Sequence, residues 1–128
     1  MNQHLNKKTD GSTLVEVMVV IAIIAILAAI AIPNYMQMRN KGYCSEAETD
    51  ADHIAAAIAD YFGTPGRTEV PTMADLKITL LNHADILGTD PNVSMTIQVT
   101  DRMSRCPVNY QNAHSGWDSN FVYSRTID

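Results

Sequence analysis

The sequence has few of the residues from which catalytic and metal sites are built. Only two of its 128 residues are cysteine, and they form no CxxC pair and stand at no metal-ligand spacing. It contains no Gly-rich phosphate loop and no Ser-His-Asp order, and His53, His83 and His114 have no second ligand at a telling spacing. We therefore predict no enzymatic activity, no catalytic residue, no metal site and no cofactor.

Positive charge is also scarce, which bears on the partners that the chain can bind. Lys and Arg number nine against 14 Asp and Glu, so the formal net charge is -5 at pH 7. Proteins hold nucleic acid by neutralising phosphates with Lys and Arg. Here the basic residues are scattered apart from Arg39 and Lys41. We therefore expect that the chain does not bind nucleic acid.

The acidic residues do not outline a metal site either. Asp50, Asp52 and Asp60 lie in a segment predicted to be helical, and we interpret them as a solvated helix face. The spacing of three later aspartates does not support a calcium loop: Asp85, Asp90 and Asp101.

One long stretch of the chain has almost no charge. Residues 1–11 are polar, contain Lys7 and Lys8, and lack the apolar core of a secretory signal. From Leu14 to Ile32 every residue except Glu16 is apolar, and a helix of that length covers the hydrocarbon thickness of a bilayer. Because the basic leader precedes the span, we expect the leader in the cytoplasm and the C-terminal body across the membrane.

The helix is predicted to continue beyond the apolar stretch. Pro33 removes one backbone hydrogen bond and clashes with the carbonyl of Ala29, which predicts a kink. Residues 34–62 then form an amphipathic helix half that stops before Gly63, Pro65 and Gly66. Its apolar residues recur three and four positions apart and form one stripe: Cys44, Ala47, Ala51, Ile54, Ile58 and Tyr61.

The remaining residues, 63–128, predict a small globular part. Thr72 is expected to cap a short helical or irregular segment that runs to about Leu81. Alternating apolar residues predict strands at residues 93–99 and 121–125, with a weaker strand at 105–110. The predicted fold is α+β: a long kinked N-terminal helix packed on a small antiparallel sheet. Residues 12–33 are its transmembrane first half, expected later to form a filament core, and the second half packs on the sheet.

The two cysteines leave two interpretations open. Cys44 lies on the helix stripe, and Cys106 lies in the second predicted strand. If this part of the chain is outside the cytoplasm, the pair is expected to form a disulfide. The bond would close a loop of about 60 residues, which is worth about 4 kcal/mol in the chain-entropy model. The alternative is a pair of buried thiols that pack as small apolar groups.

The residues around the start of the apolar stretch carry a family resemblance. The run GSTLVE at residues 11–16, with the stretch that ends AAIAIP at residues 28–33, resembles the N-terminal signature of type IV pilins and pseudopilins. The resemblance implies cleavage between Gly11 and Ser12 by a prepilin peptidase, with N-methylation of Ser12. It also implies that Glu16 of an incoming subunit forms a salt bridge with the N-terminal amine of a neighbour, since a carboxylate in hydrocarbon needs a partner.

The sequence leaves three alternatives for the function, of which the resemblance implies the first two, both structural. The first is a type IV pilus subunit that polymerises with copies of itself for adhesion, motility or DNA uptake. It would wait as a single-pass inner-membrane protein, meet the pilus assembly machinery there, and end in an extracellular filament. The second is a pseudopilin of a type II secretion system, in a periplasmic pseudopilus. The third, from another class, is a membrane-anchored binding domain that never polymerises.

Overall fold

A computed structural model describes residues 3–128, with side chains from Ser12 onward. The predicted leader and Gly11 therefore lie outside the described side chains. The chain divides into two compact units, one ending at Gln37 and one from Met38 to Asp128. The elements are α1 (Gln3–Phe62), α2 (Met73–Leu76), β1 (His83–Leu87), β2 (Met95–Thr100), α3 (Val108–Ala113) and β3 (Val122–Ile127).

The first unit consists of the apolar part of α1. Between Leu14 and Ile32 the large apolar side chains are each 52–68% exposed. By length and composition, the stretch of α1 from Ser12 to Phe62 contains a segment that could cross a membrane, and none of that segment is buried within the chain. The helix continues through Pro33, while the kink expected there stays a prediction.

The second unit is built on the amphipathic part of α1. The predicted stripe is confirmed from Cys44 to Ile58, because Cys44, Ala47, Ala51 and Ile54 are fully buried and Ile58 is almost so. Tyr61, its predicted last member, is only half-buried. The small side chains of Ala47 and Ala51 allow the sheet to approach this part of the helix closely. The stripe packs on the inner face of the sheet in one apolar cluster, to which the strands contribute Ala84, Met95, Ile97 and Val99.

Local signals in the sequence fix the end of α1 and the start of α2. α1 ends at Phe62, as predicted, and the Gly63 N–H donates to the carbonyls of both Ala59 and Asp60 at 3.1 Å. Thr72 caps α2, as predicted. The Asp75 carboxylate accepts hydrogen bonds from the Thr72 N–H at 2.8 Å and from its hydroxyl at 2.6 Å, and these bonds lower the pKa of Asp75.

The sheet has three antiparallel strands in the order β1-β2-β3. The central strand β2 alternates between buried and half-buried residues, with Ile97 paired to Ile86 on β1 and to Arg125 on β3. The predicted alternation is therefore confirmed for β2; β3 is a strand, as predicted, but its burial does not alternate. The α+β fold of a helix packed on a small antiparallel sheet is also confirmed.

One predicted strand is wrong and another was missed. Residues 105–110 form no strand, because Pro107 caps helix α3 and residues 108–110 belong to that helix. Pro lacks the N–H that a ladder needs but suits the start of a helix. The third strand is instead β1, whose sequence HADIL contains Ala and Asp, two residues that are depleted in strands.

Candidate functional site

The candidate site in the first unit is the start of the apolar helix. Ser12 and Glu16 are four positions apart on α1, both exposed, and residues at that spacing share one face of a helix. The described part of the chain offers the Glu16 carboxylate no hydrogen bond or ion pair. Among the described residues, the site therefore exposes an unpaired carboxylate within an apolar surface.

In the second unit, a disulfide ties helix α1 to the segment before α3. Cys44 and Cys106 are bonded, with their Cα atoms 4.9 Å apart, and both residues are buried. Of the two interpretations left open by the sequence, the structure contains the disulfide. The bond holds residues that are 62 positions apart.

A buried carboxylate shapes the turn that precedes Cys106. The side chain of Asp101 is 1% exposed and accepts hydrogen bonds from the N–H groups of Met103 at 3.1 Å and of Arg105 and Cys106 at 2.8 Å each. Ser104 takes a left-handed backbone conformation with φ of 52°. Asp101 thus organises the turn that brings Cys106 to Cys44.

A second carboxylate connects the helix to the start of the sheet. Asp50 is 4% exposed, and its Oδ2 accepts hydrogen bonds from the Asn82 backbone at 3.0 Å and side chain at 2.9 Å. The interpretation of Asp50 as part of a solvated helix face is therefore wrong. Asp52 and Asp60 are exposed, and Asp52 accepts a hydrogen bond from Arg125.

Glu48 joins α1 to the C-terminal aromatic residues. Its carboxylate accepts hydrogen bonds from the Tyr110 hydroxyl at 3.1 Å and from the Trp117 indole at 3.0 Å. Burial, followed by the hydrogen bond and charge of Glu48, raises the pKa of Tyr110. Burial and the charge of Glu48 likewise raise the pKa of Tyr123. Sequence reasoning missed this contact, because its partners are 62 and 69 positions away.

Metal chemistry finds no support in the part of the chain that is described. No three His, Cys, Asp or Glu residues among the described ones could hold a metal ion together. Asp101 points its carboxylate at backbone N–H groups, and Asp90 accepts hydrogen bonds from Asn92. Both carboxylates therefore accept hydrogen bonds from within the chain.

Comparison with known proteins finds similarity over part of the chain. Residues 6–32 match the prokaryotic N-terminal methylation motif. The chain is 42% identical over 64 residues to the type IV major pilin protein PilA of Myxococcus xanthus (strain DK1622), which is 50% of this chain and 29% of that protein. It is 38% identical over 63 residues to the type IV major pilin protein PilE1 of Neisseria gonorrhoeae, covering 49% of this chain and 38% of that one.

A third relative extends the similarity slightly further. The chain is 42% identical over 77 residues to a fimbrial protein of Moraxella nonliquefaciens, covering 60% of this chain and 47% of that protein. The chain thus spans less than half the length of these curated relatives. No solved structure matches the chain significantly.

Proposed function

We propose that this chain, which carries the N-terminal methylation motif and the N-terminal helix of the type IV pilin family, is a filament subunit that polymerises through the first half of α1. The observation that carries the proposal is the apolar surface from Leu14 to Ile32, which is exposed along its whole length. Each buried methylene is worth about 0.8 kcal/mol, so such a segment requires either lipid or other copies of itself. The membrane holds it first, and the filament interior holds it afterwards.

Processing creates the assembly-competent subunit. A prepilin peptidase hydrolyses the peptide bond between Gly11 and Ser12, and the new amine of Ser12 receives a methyl group. The proposal is supported by the position of the methylation motif at residues 6–32, which encloses both residues. Mass spectrometry of the mature protein is expected to find a methylated N-terminus at Ser12, and an intact leader would contradict this step.

Glu16 gives assembly its register. A carboxylate inside the hydrocarbon region is costly, up to about 2.5–3.5 kcal/mol at its centre on insertion scales, so a subunit that carries Glu16 near one end of its apolar stretch gains by meeting a positive partner. The amine of Ser12 on a neighbouring subunit is such a partner in an otherwise uncharged surface. The absence of a partner for Glu16 within the described residues supports this role.

The compartment follows from this scheme. The subunit waits in the inner membrane with its second unit on the far side, where the Cys44–Cys106 disulfide can form. The assembly machinery of that membrane then draws it into an extracellular pilus used for adhesion, motility or DNA uptake. The names of the relatives, which are major pilins and fimbrial proteins, favour a pilus over a secretion pseudopilus.

Replacement of Glu16 tests the pairing step. In cells that express Glu16→Ala as the sole copy, shear-released filaments are expected to fall at least about tenfold, since losing a desolvated charge pair costs 2–5 kcal/mol. Glu69→Ala removes an exposed loop carboxylate and serves as the matched control. Normal filament abundance in the Glu16 variant would exclude the pairing role, and a wild-type chain that stays in the membrane fraction would favour the anchored binding domain.

A further inference from the structure

Folding gathers basic residues that are scattered in the sequence. The segment from Met38 to Ser45 contains Arg39 and Lys41 and no acidic residue, and the segment from Arg102 to Val108 contains two arginines and no acidic residue. The disulfide joins these segments, and the Arg105 guanidinium lies 5.9 Å from the centre of the Tyr43 ring. We name the four residues Arg39, Lys41, Arg102 and Arg105 the basic collar.

The basic collar is free to bind an external anion. All four residues are exposed, and no ion pair among the described residues engages any of them. Met103, on the same turn as Arg102 and Arg105, is 55% exposed. The surface therefore combines positive charge with an apolar side chain, which suits the boundary between water and lipid.

The turn that carries half of the collar is held in place by the fold. The Asp101 carboxylate binds three N–H groups of the turn, and the disulfide follows directly at Cys106. Of the carboxylates that follow the first segment on α1, Glu48 binds Tyr110 and Trp117 and Asp50 binds Asn82, while Glu46 is exposed. Binding at the collar therefore costs little ordering of the backbone.

We propose that the basic collar binds the anionic headgroups of membrane lipids while the subunit waits for assembly. The inference rests on the membrane-anchored stage of the proposed function. Arg39 stands seven positions after Ile32, where the apolar stretch ends, so the chain keeps it near the membrane surface. A basic residue beside an anionic membrane contributes about a fivefold gain in affinity.

The rest of the molecule argues against a nucleic-acid partner for the same surface. Without residues 1–11, which hold Lys7, Lys8 and Asp10, the formal net charge falls from -5 to -6. A long polyanion would be repelled by this body, whereas a membrane that holds the apolar stretch brings its headgroups to residues such as Arg39 that follow that stretch in the chain. The headgroup is therefore the phosphate-bearing ligand that the charge distribution favours.

Arginine labelling in lipid nanodiscs tests the proposal on the full mature chain. The protein is inserted into discs of phosphatidylcholine alone or with phosphatidylglycerol, treated with phenylglyoxal, and analysed by mass spectrometry for each arginine. In anionic discs, labelling of Arg39 and Arg105 is expected to slow about fivefold. Arg67, an exposed arginine outside the collar, is expected to react at the same rate in both discs.

Two double variants separate the collar from general charge effects. Arg39→Gln with Arg105→Gln is expected to speed the labelling of Arg102 in anionic discs, because the remaining collar no longer holds headgroups. Arg67→Gln with Lys77→Gln removes the same charge from exposed positions outside the collar and is expected to leave Arg102 labelling unchanged. If both variants behave alike, the collar is not a specific lipid surface.

The remaining outcomes would overturn the proposal in distinguishable ways. Equal labelling of the collar in both discs means that it does not bind lipid. If inorganic phosphate or duplex DNA in neutral discs gives the protection that anionic lipid does not, the surface is a phosphate or nucleic-acid site instead. A chain that inserts into neither disc contradicts the membrane-anchored stage itself, whereas insertion without protection contradicts the collar alone.

Discussion

At the scale of single residues, two carboxylates of helix α1 bind the C-terminal segments, and a third organises a turn within them. Asp50 binds Asn82 at the start of the sheet, Asp101 organises the turn before Cys106, and Glu48 binds two aromatic side chains. Among the described residues, no buried side-chain nitrogen or oxygen lacks a hydrogen-bond partner. The small core is therefore complemented by charged hydrogen bonds, each of which is worth about 1.5–3 kcal/mol.

The Glu48 contact predicts a measurable titration. Burial and the hydrogen bond to Glu48 raise the pKa of Tyr110 above its ordinary value of 10.0, so Glu48→Gln should lower that pKa while leaving the part due to burial. In the wild type, this contribution of Tyr110 to stability is present below the pKa that the tyrosine has in the unfolded chain. It is lost as the pH rises through the higher pKa that Tyr110 has in the folded chain. NMR titration of ring-labelled tyrosine measures the pKa of Tyr110 in the wild type and in Glu48→Gln, and unfolding at a series of pH values measures the contribution to stability.

Glu46→Gln is the matched control for this titration. Glu46 is an exposed carboxylate on the same helix and has no contact with Tyr110 among the described ones. A pKa of Tyr110 that responds equally to both substitutions would mean that long-range charge, and not the hydrogen bond, is responsible.

The hydrogen bonds of Asp101 predict that the isosteric substitution Asp101→Asn lowers the unfolding free energy of the second unit. Asp101→Asn replaces one carboxylate oxygen by an amide group that faces N–H donors, which should cost about 2 kcal/mol. Urea unfolding of the full chain in detergent, followed by fluorescence of Trp117, the single tryptophan, reports on the second unit. Asp60→Asn, at an exposed position, should leave the midpoint unchanged, and equal midpoints for both variants would refute the role of Asp101.

At the scale of elements, the disulfide is the covalent connection between α1 and the sheet side of the second unit. It closes a loop over 62 positions, and the chain-entropy model gives it about 4 kcal/mol. The double variant Cys44→Ala, Cys106→Ala keeps the site apolar. The difference in unfolding free energy between the wild type and this variant therefore measures the contribution of the cross-link. The same unfolding experiment is expected to show that loss, and reduced wild type should match the variant.

Periodic elements could be predicted from the sequence, and elements fixed by distant partners could not. The stripe from Cys44 to Ile58 repeats at helical spacing, and β2 alternates, so both were identified correctly. α3 and β1 are short and lack a strong period, which allowed Pro107 to be placed wrongly within a strand. The motif at residues 11–16 could be recognised in the sequence alone. The burial of Asp50 could not, because it depends on hydrogen bonds from Asn82, which is 32 positions away in the chain.

At the scale of the whole molecule, the function that we propose assigns different tasks to the two units. The unit that ends at Gln37 exposes apolar side chains for burial in lipid or among copies of the chain, and the unit from Met38 onward has its own core, disulfide and hydrogen bonds. Stability of the second unit and assembly by the first are therefore expected to respond to different substitutions.

The central claim is that the chain polymerises, and the protein content of sheared filaments tests it most directly. Filaments are shear-released from cells that produce the chain, imaged by electron microscopy, and analysed by mass spectrometry. We predict filaments that contain this chain as a repeating component, beginning at Ser12. Cells that retain the whole of the processed chain in the membrane, with no filament containing it, would contradict the account.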